Sequence, residues 1–261
     1  MQSEIAMPLE IVTVPCLSDN YAYLLHNAET GETAVADAPE SGPIELALAE
    51  RGWGLSDILI THHHHDHIGG VEALRTTHGA RVIGAASDAH RLPRLDLAVA
   101  EGDRVVVAGE SAEVLDVPGH TVGHIAFHFP ASGAVFTGDS LMALGCGRLF
   151  EGDAPTMWAS LCKLAALPPE TLVCSGHEYT VTNARFALTI EPDNAALAQR
   201  RTEVDALRAA GRPTVPSGLS EELATNPFLR ARLPEVKAGI GMQDAGDAEA
   251  FAEIRARKDR F

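Results

Sequence analysis

A ten-residue segment, THHHHDHIGG at 61–70, concentrates the residue types that bind metal ions. Imidazole nitrogens and carboxylate oxygens bind zinc and related ions at about 2.0–2.2 Å. Alternate residues after a strand can point at one ion, and the first residues of a following helix can point at a second. We therefore group His62 with His64, and Asp66 with His67. The run is internal and continues into DH and GG, which argues against an affinity tag or an accidental surface cluster.

Three further residues of ligand type each follow an apolar segment and a small residue. His120 follows VPG, Asp139 follows VFTG, and His177 follows CSG. Because loops at one edge of a sheet converge on a crevice, we expect these side chains to meet the histidine-rich segment. Seven ligands suit two divalent ions, about 3.5–4 Å apart, that share a bridging water and lower its pKa to give a hydroxide nucleophile at neutral pH.

The predicted set has three ligands for each ion and one carboxylate that bridges them. The ligands are His62, His64 and His120 for one ion, Asp66, His67 and His177 for the other, and Asp139 as the bridge. Asp66 and Asp139 are also the predicted catalytic residues, with Asp66 as a candidate proton acceptor. Zinc is the predicted metal, with iron and manganese as alternatives, because all three ions accept His and Asp ligands.

The elements that must position these residues follow from hydrophobic patterning. Aromatic or β-branched runs bounded by turn residues predict strands over 21–25 and 33–37, and the apolar run DILIT at 57–61 predicts a strand buried on both faces. Beyond these strands the chain changes to long helical stretches. We therefore predict an α/β fold with a mixed domain over 1–177 and an all-helical domain over 178–261.

Composition and charge exclude several classes of protein. The 261 residues are 46 % apolar, and their net charge of −16 argues against nucleic-acid binding, which depends on Lys and Arg meeting phosphates. No run approaches the ~18 apolar residues of a membrane span. The start, MQSEIAMPLE, lacks the pattern of a secretory or transit signal. We expect a cytoplasmic monomer that binds neither nucleic acid nor membrane.

The motifs THHHHDH, HTVGH, FTGDS and SGHEYT, in this order and spacing, resemble the metallo-β-lactamase superfamily. Five further motifs resemble its glyoxalase II branch, the hydroxyacylglutathione hydrolases: SDNYAYLL, GCGRLFEG, GHEYTVTNARFA, NPFLR and RARKDRF. The resemblance spans nearly the whole chain. It implies an αββα sandwich with a dinuclear metal site and a C-terminal helical domain that helps to bind glutathione.

The resemblance also implies substrate-binding residues for a glutathione thioester. The branch's glutathione contacts fall on Arg148 in GCGRLF, Tyr179 in GHEYT, and Arg255 and Lys258 in RARKD. One position departs from the pattern, because Phe150 stands where the branch often has Tyr, so a hydroxyl contact to glutathione is lost or replaced. The thioester carries two carboxylates. We therefore expect Arg148, Arg255 and Lys258 to attract it, although the chain as a whole is acidic.

The implied reaction is the hydrolysis of S-D-lactoylglutathione to D-lactate and glutathione by a metal-bound hydroxide, the second step of glyoxalase methylglyoxal detoxification. Within the superfamily, a glutathione persulfide dioxygenase is the nearest rival, but such enzymes use a single iron, and the second-metal ligand set is complete here. A lactamase or a nuclease leaves RARKD unexplained. A metal sensor without turnover would be marked by the loss of a ligand, and none is missing.

Overall fold

The computed structural model describes residues 8–261, and these divide into two compact units. Of the described residues, the first unit comprises 8–116 and Gly123–Gly138, and the second comprises Val117–Val122 and Asp139–Phe261. These bounds differ from those of the predicted domains, 1–177 and 178–261, which stay a prediction. Most of the segment in which we expect no targeting signal lies outside the described residues.

A six-stranded sheet forms one layer of the first unit, with its strands in the order β1 to β6. The strands are β1 (Glu10–Cys16), β2 (Asn20–His26), β3 (Thr33–Ala36), β4 (Asp57–Leu59), β5 (Arg81–Ala85) and β6 (Leu97–Val99). The first three pair antiparallel and the others parallel. All residues of β2, β3 and β4 are buried. For β4 this agrees with the prediction of a strand buried on both faces within 57–61.

Four antiparallel strands form the second layer of this unit. They are β7 (Arg104–Val107), β8 (Glu110–Asp116), β9 (Ile125–Phe129) and β10 (Ala134–Gly138), in the order β10, β9, β8, β7. The layers pack through aromatic side chains, since the rings of Tyr23 and Phe136 lie 5.7 Å apart between centroids. The backbone N–H of Ile125 donates to the carbonyl of Thr61 across the layers at 3.0 Å.

Three helices and a short 3₁₀ turn complete the first unit. They are α1 (Ser41–Arg51), α2 (His65–Ile68), α3 (Val71–His78) and the turn Ala86–Asp88. Helix α1 ends at Gly52 and α3 at Gly79, both in the left-handed conformation that glycine adopts without strain. Helix α1 packs against β1 and helix α3 against β5. Stacked sheets with helices on one face agree with the predicted α/β sandwich.

The second unit is mostly helical. Its helices are α4 (Ala154–Ala165), α5 (Thr180–Ile190), α6 (Ala195–Ala209), α7 (Leu219–Thr225), α8 (Pro234–Gly239) and α9 (Asp247–Asp259). Its strands are the hairpin β11 (Leu141–Met142) and β12 (Gly145–Cys146), and the pair β13 (Leu172–Ser175) and β14 (Ser217–Gly218).

The helical C-terminal segment is confirmed, apart from the two-residue strand β14, which pairs with β13. Asp153 accepts a hydrogen bond from the third residue of α4, and Asn194 does the same for α6, so both helices begin with side-chain caps. Helices α4 and α9 pack through Trp158 and Phe251, whose ring centroids lie 5.9 Å apart. Each helix within residues 8–261 is too short or too polar to cross a membrane.

Candidate metal centre

The histidine-rich segment leaves β4 and enters α2, as the patterning predicts. His64 is the N-cap of α2, with extended backbone angles (φ −61°, ψ 141°), and the helix starts at the next residue. His62 is fully buried, and its Nε2 atom lies 3.1 Å from Nδ1 of His64. The turn therefore aims two imidazole nitrogens at one point, which is what a shared metal ion needs.

Asp66 and His67 occupy the first turn of α2 and form the second pair. One ligand atom of each lies within 4.8 Å of the other. Asn20, on β2, donates its side-chain N–H to the Asp66 carboxylate and to its backbone carbonyl, both at 3.0 Å. This amide therefore fixes the direction of the Asp66 carboxylate from a distant part of the chain.

Asp37 orients two of these histidines at once. Its Oδ2 atom lies 2.8 Å from Nδ1 of His67 and accepts a hydrogen bond from the Thr61 hydroxyl at 2.8 Å, while Oδ1 accepts from the Thr61 N–H at 2.9 Å. Because that hydroxyl donates to Asp37, it accepts from Nδ1 of His62, 3.1 Å away. Both imidazoles are thereby held as tautomers in which Nε2 is the metal-binding nitrogen.

Three histidines that are not predicted ligands, His63, His65 and His124, lie in or beside the histidine-rich segment. His63 Nδ1 lies 3.0 Å from Oδ2 of the buried Asp88, which also pairs with Arg91. His65 is exposed. The ring of His124 stacks on that of His62 at 4.6 Å between centroids. These supporting contacts involve side chains that the metal pattern alone does not single out.

The second unit carries the other three predicted ligands. Nε2 of His120 lies 3.4 Å from Oδ2 of Asp139, and Nε2 of His177 lies 3.3 Å from the same oxygen. One carboxylate therefore faces two imidazoles, the arrangement that a bridging ligand requires. Nδ1 of His120 lies 2.9 Å from the Arg148 carbonyl and donates to it, which again makes Nε2 the metal-binding nitrogen.

A close backbone approach explains the glycine at 147 in GCGRLF. A Cβ atom built there would lie 2.0 Å from the Asp139 carbonyl oxygen and 2.9 Å from Nδ1 of His120. Any side chain at Gly147 would therefore displace two predicted ligands.

The donor set fits divalent metal ions. It consists of imidazole nitrogens and carboxylates, and His62, His67 and His120 each have the second ring nitrogen held by a hydroxyl, carboxylate or carbonyl oxygen. Such outer contacts are characteristic of metal-binding histidines, since they set the tautomer and raise ligand basicity. The chain thus carries the His and Asp donors of a dinuclear metal site.

Three positive side chains of the second unit, those of Arg148, Arg255 and Lys258, interact with one another. Arg148 is exposed, and the half-exposed ring of Tyr179 stacks on that of His177 at 4.6 Å between centroids. Burial, together with the charges of Arg255 and Arg148, lowers the pKa of Lys258 from 10.5 to about 8. Three cations therefore interact within one unit of an acidic protein, and such a group is suited to an anionic ligand.

Arg255 has a different environment from the other predicted substrate contacts. It is only 4 % exposed, and its guanidinium donates to the Cys146 carbonyl at 2.9 Å and to the Asp259 carboxylate at 2.9 Å. The guanidinium carbon also lies 5.1 Å from the centre of the Phe228 ring. Its packing is therefore that of a residue that holds α9 against the β11–β12 hairpin, and a direct contact with substrate stays a prediction.

Phe150, which departs from the family pattern, is 62 % exposed. Its ring meets that of His120 edge-on, with centroids 5.2 Å apart. A hydroxyl on this ring would therefore lie in the surroundings of a predicted metal ligand.

Comparison with known proteins gives one consistent relationship. Residues 20–177 match the family model "Metallo-beta-lactamase superfamily", and residues 178–261 match "Hydroxyacylglutathione hydrolase C-terminus". A hydroxyacylglutathione hydrolase of Cereibacter sphaeroides is 68 % identical over 98 % of this chain and 100 % of its own length.

Two solved structures share the fold. ETHE1 from Myxococcus xanthus is 26 % identical, with a TM-score of 0.66, and the match covers 97 % of this chain and 98 % of that one. TTHA1623, solved in a di-iron-bound form, is 31 % identical, with a TM-score of 0.55, over 64 % of this chain and 91 % of that one. The chain therefore belongs to the hydroxyacylglutathione hydrolase family of the metallo-β-lactamase superfamily.

Proposed function

We propose that this protein hydrolyses S-D-lactoylglutathione to D-lactate and glutathione. The observation that carries the proposal is the cluster of Arg148, Arg255 and Lys258, in which burial, followed by repulsion from the two arginines, lowers the pKa of Lys258 to about 8. Asp259 already pairs with Arg255, so Arg148 and Lys258 are the two cations proposed to meet an anionic partner in this chain of net charge −16. A glutathione thioester supplies two carboxylates, and Arg can bind a carboxylate through two parallel hydrogen bonds.

We assign the seven predicted ligands to two divalent ions, as family membership implies: His62, His64, Asp66, His67, His120, Asp139 and His177. Zinc is the proposed metal, with iron or manganese as alternatives, since availability decides among ions that accept these donors. When bound, two such ions supply Lewis acidity toward the thioester carbonyl and lower the pKa of water.

The chain's own residues bind and orient the substrate. Arg148 and Lys258 bind the carboxylates of the glutathione moiety, and the exposed face of Tyr179 packs against it beside His177. Asp66, whose carboxylate is held by Asn20, is the proposed proton acceptor. A departing thiol has a pKa of about 8.5, so the thiolate can leave without a general acid. This chemistry requires no nucleophilic Cys, Ser or Glu.

We propose a metal-binding domain over 1–177 and a glutathione-binding helical domain over 178–261. The protein is proposed to act as a cytoplasmic monomer that binds neither nucleic acid nor membrane. Gel filtration with light scattering tests the monomer, because a dimer would elute at twice the mass.

The test is thiol release from S-D-lactoylglutathione by the purified protein, with metal counted on the same sample. We expect turnover that disappears on chelation and returns with added Zn²⁺. Arg148→Ala should raise KM, whereas the matched control Arg212→Ala, at another exposed arginine, should leave it unchanged. The proposal fails if the metal-loaded protein releases no thiol, or if both variants change KM equally.

A further inference from the structure

The β11–β12 hairpin joins a predicted metal ligand to a predicted substrate residue. Asp139 lies two residues before β11, and Arg148 lies two residues after β12. The Arg148 carbonyl also accepts from His120. The position of this short hairpin therefore determines the position of the Arg148 backbone, from which the side chain extends.

The tip of the hairpin has an unfavourable backbone conformation. Leu144 has φ +55°, a region that L residues with a branched side chain rarely adopt. Its side chain is fully buried in an apolar cluster with Ala184, Ala187 and Leu197 from helices α5 and α6. Contacts outside the hairpin must offset the strain at this position.

Three buried side chains from the helices that follow hold the backbone of the tip. Glu222 accepts the N–H of Leu144 at 2.8 Å. Asn183 donates to the Ala143 carbonyl at 3.0 Å. Asn226 donates to the carbonyls of Met142 and Gly145 at 3.1 and 3.0 Å. All four residues of the tip are thus bonded to side chains far away in the chain.

The three side chains are themselves fixed. Glu222 is fully buried, pairs with Arg200 and accepts from the Ser217 hydroxyl at 2.7 Å. Asn226 is also fully buried, and its amide nitrogen lies 3.0 Å from a Glu222 carboxylate oxygen. A rigid polar network of this kind places the backbone it binds more precisely than apolar contact alone, because each hydrogen bond is directional.

We propose that Asn183, Glu222 and Asn226 are positioning residues that hold the β11–β12 hairpin so that Arg148 meets the carboxylates of the substrate. The inference rests on the proposed function and adds residues that act through Arg148 without touching the substrate. Loss of Asn183 or Asn226 leaves buried carbonyls without a donor, and loss of Glu222 leaves the Leu144 N–H without an acceptor. Either loss frees the tip to relax from the strained angle at Leu144.

A double-mutant cycle on the full-length, metal-loaded protein tests the inference. We expect Asn226→Ala to raise KM about five- to tenfold, with kcat within about twofold of wild type. This is less than the full contribution of one charge-assisted contact, because Arg148 is displaced and not removed. In an Arg148→Ala background the same change should raise KM less than about twofold, because the contact it positions is already lost. An equal factor in both backgrounds would overturn the inference.

A stability control and a milder variant complete the design. Val204→Ala removes buried apolar atoms from α6 and should leave KM unchanged in either background. If Asn226→Ala does not fold, Asn183→Ala removes a single hydrogen bond to the tip and replaces it in the cycle.

Amide hydrogen exchange gives a readout that is independent of activity. Asn183→Ala should speed exchange within residues 141–148 and leave Leu172–Ser175, in β13, unchanged. A wild type that releases no thiol would refute the proposed function alone. An active wild type in which exchange of the hairpin is unaffected by Asn183→Ala would refute the positioning role alone.

Discussion

The carboxylate of Asp37 lies 2.8 Å from Nδ1 of His67, and both residues are buried. Asp37 adopts φ +55°, an angle that Asp tolerates better than most residues. The same carboxylate reaches His62 through the Thr61 hydroxyl. His62 is assigned to one proposed ion and His67 to the other. Asp37, which is not itself a predicted ligand, therefore orients one ligand of each ion.

Asp37→Asn should weaken metal binding. An amide has one acceptor oxygen where the carboxylate has two, so it cannot accept from the His67 ring, the Thr61 hydroxyl and the Thr61 N–H together, and the ligands lose their fixed tautomers. We expect metal affinity to fall about 10–100-fold, measured by competition with a chelator. Asp57→Asn is the matched control, because Asp57 is also buried in the first unit but pairs with Arg81. Equal metal loss in both variants would contradict the role of Asp37.

Asp139→Ala should disturb both ions together. One oxygen of Asp139 faces both His120 and His177, which are assigned to different ions. We expect the metal content to fall from about two per chain to less than one, since a bridging carboxylate serves both sites. His177→Ala should remove only the ion to which it is assigned. Selective loss of a single ion from Asp139→Ala would show that this carboxylate is not a bridge.

Residue type and local spacing carried the prediction of the ligand set, because the THHHHDH run and three strand ends are visible in the chain itself. The supporting contacts were not predictable in the same way. Asn20 and Asp66 are 46 residues apart, and Thr61 and Asp37 are 24 apart, so only folding reveals these pairs.

The β11–β12 hairpin was also absent from the predicted elements. Its strands have two residues each, and its conformation depends on Asn183, Glu222 and Asn226, which lie far along the chain. Local propensity carries no signal for such a segment. The mixed α/β region and the long helices after it were predictable, because their apolar patterns extend over many residues.

Phe150→Tyr should tighten substrate binding. The ring is exposed and packs edge-on against His120, so an added hydroxyl can reach the bound substrate without entering the core. We expect a gain of about 0.5–1.5 kcal/mol, the value of an ordinary hydrogen bond, measured as a lower KM for S-D-lactoylglutathione. Phe150→Leu serves as the control for loss of the ring. Weaker binding by the Tyr variant would show that this position favours an apolar side chain.

Arg255→Ala and Lys258→Ala should have different effects, although the two residues are three apart on α9. Arg255 is buried with two hydrogen-bond partners, so its loss should lower the free energy of unfolding by roughly 2–3 kcal/mol. Lys258→Ala should raise KM, by about 1–3 kcal/mol in kcat/KM, with little effect on kcat. Urea unfolding and steady-state kinetics separate these outcomes. Equal loss of stability in both variants would make Lys258 a structural residue.

Substrate binding should weaken as the pH rises through about 8, because Lys258 loses its charge there. Its pKa falls from 10.5 to about 8, first through burial and then through repulsion by Arg255 and Arg148. An anionic substrate favours the protonated amine, so KM for the wild type should rise roughly tenfold between about pH 7 and pH 9. Lys258→Arg should remove this rise, because a guanidinium stays protonated throughout the range.

The same shift in Lys258 predicts the pH dependence of folding. A lowered pKa means that the unfolded chain binds more protons than the folded one between about pH 8 and 10.5. The free energy of unfolding should therefore increase as the pH rises across that window, because the folded state no longer has to hold a charged Lys258. Lys258→Met, which cannot be protonated, should lack that contribution in urea unfolding measured at each pH. Identical pH profiles for wild type and Lys258→Met would show that the lysine keeps its ordinary pKa. Deprotonation of Lys258 could then not explain a rise in KM near pH 8.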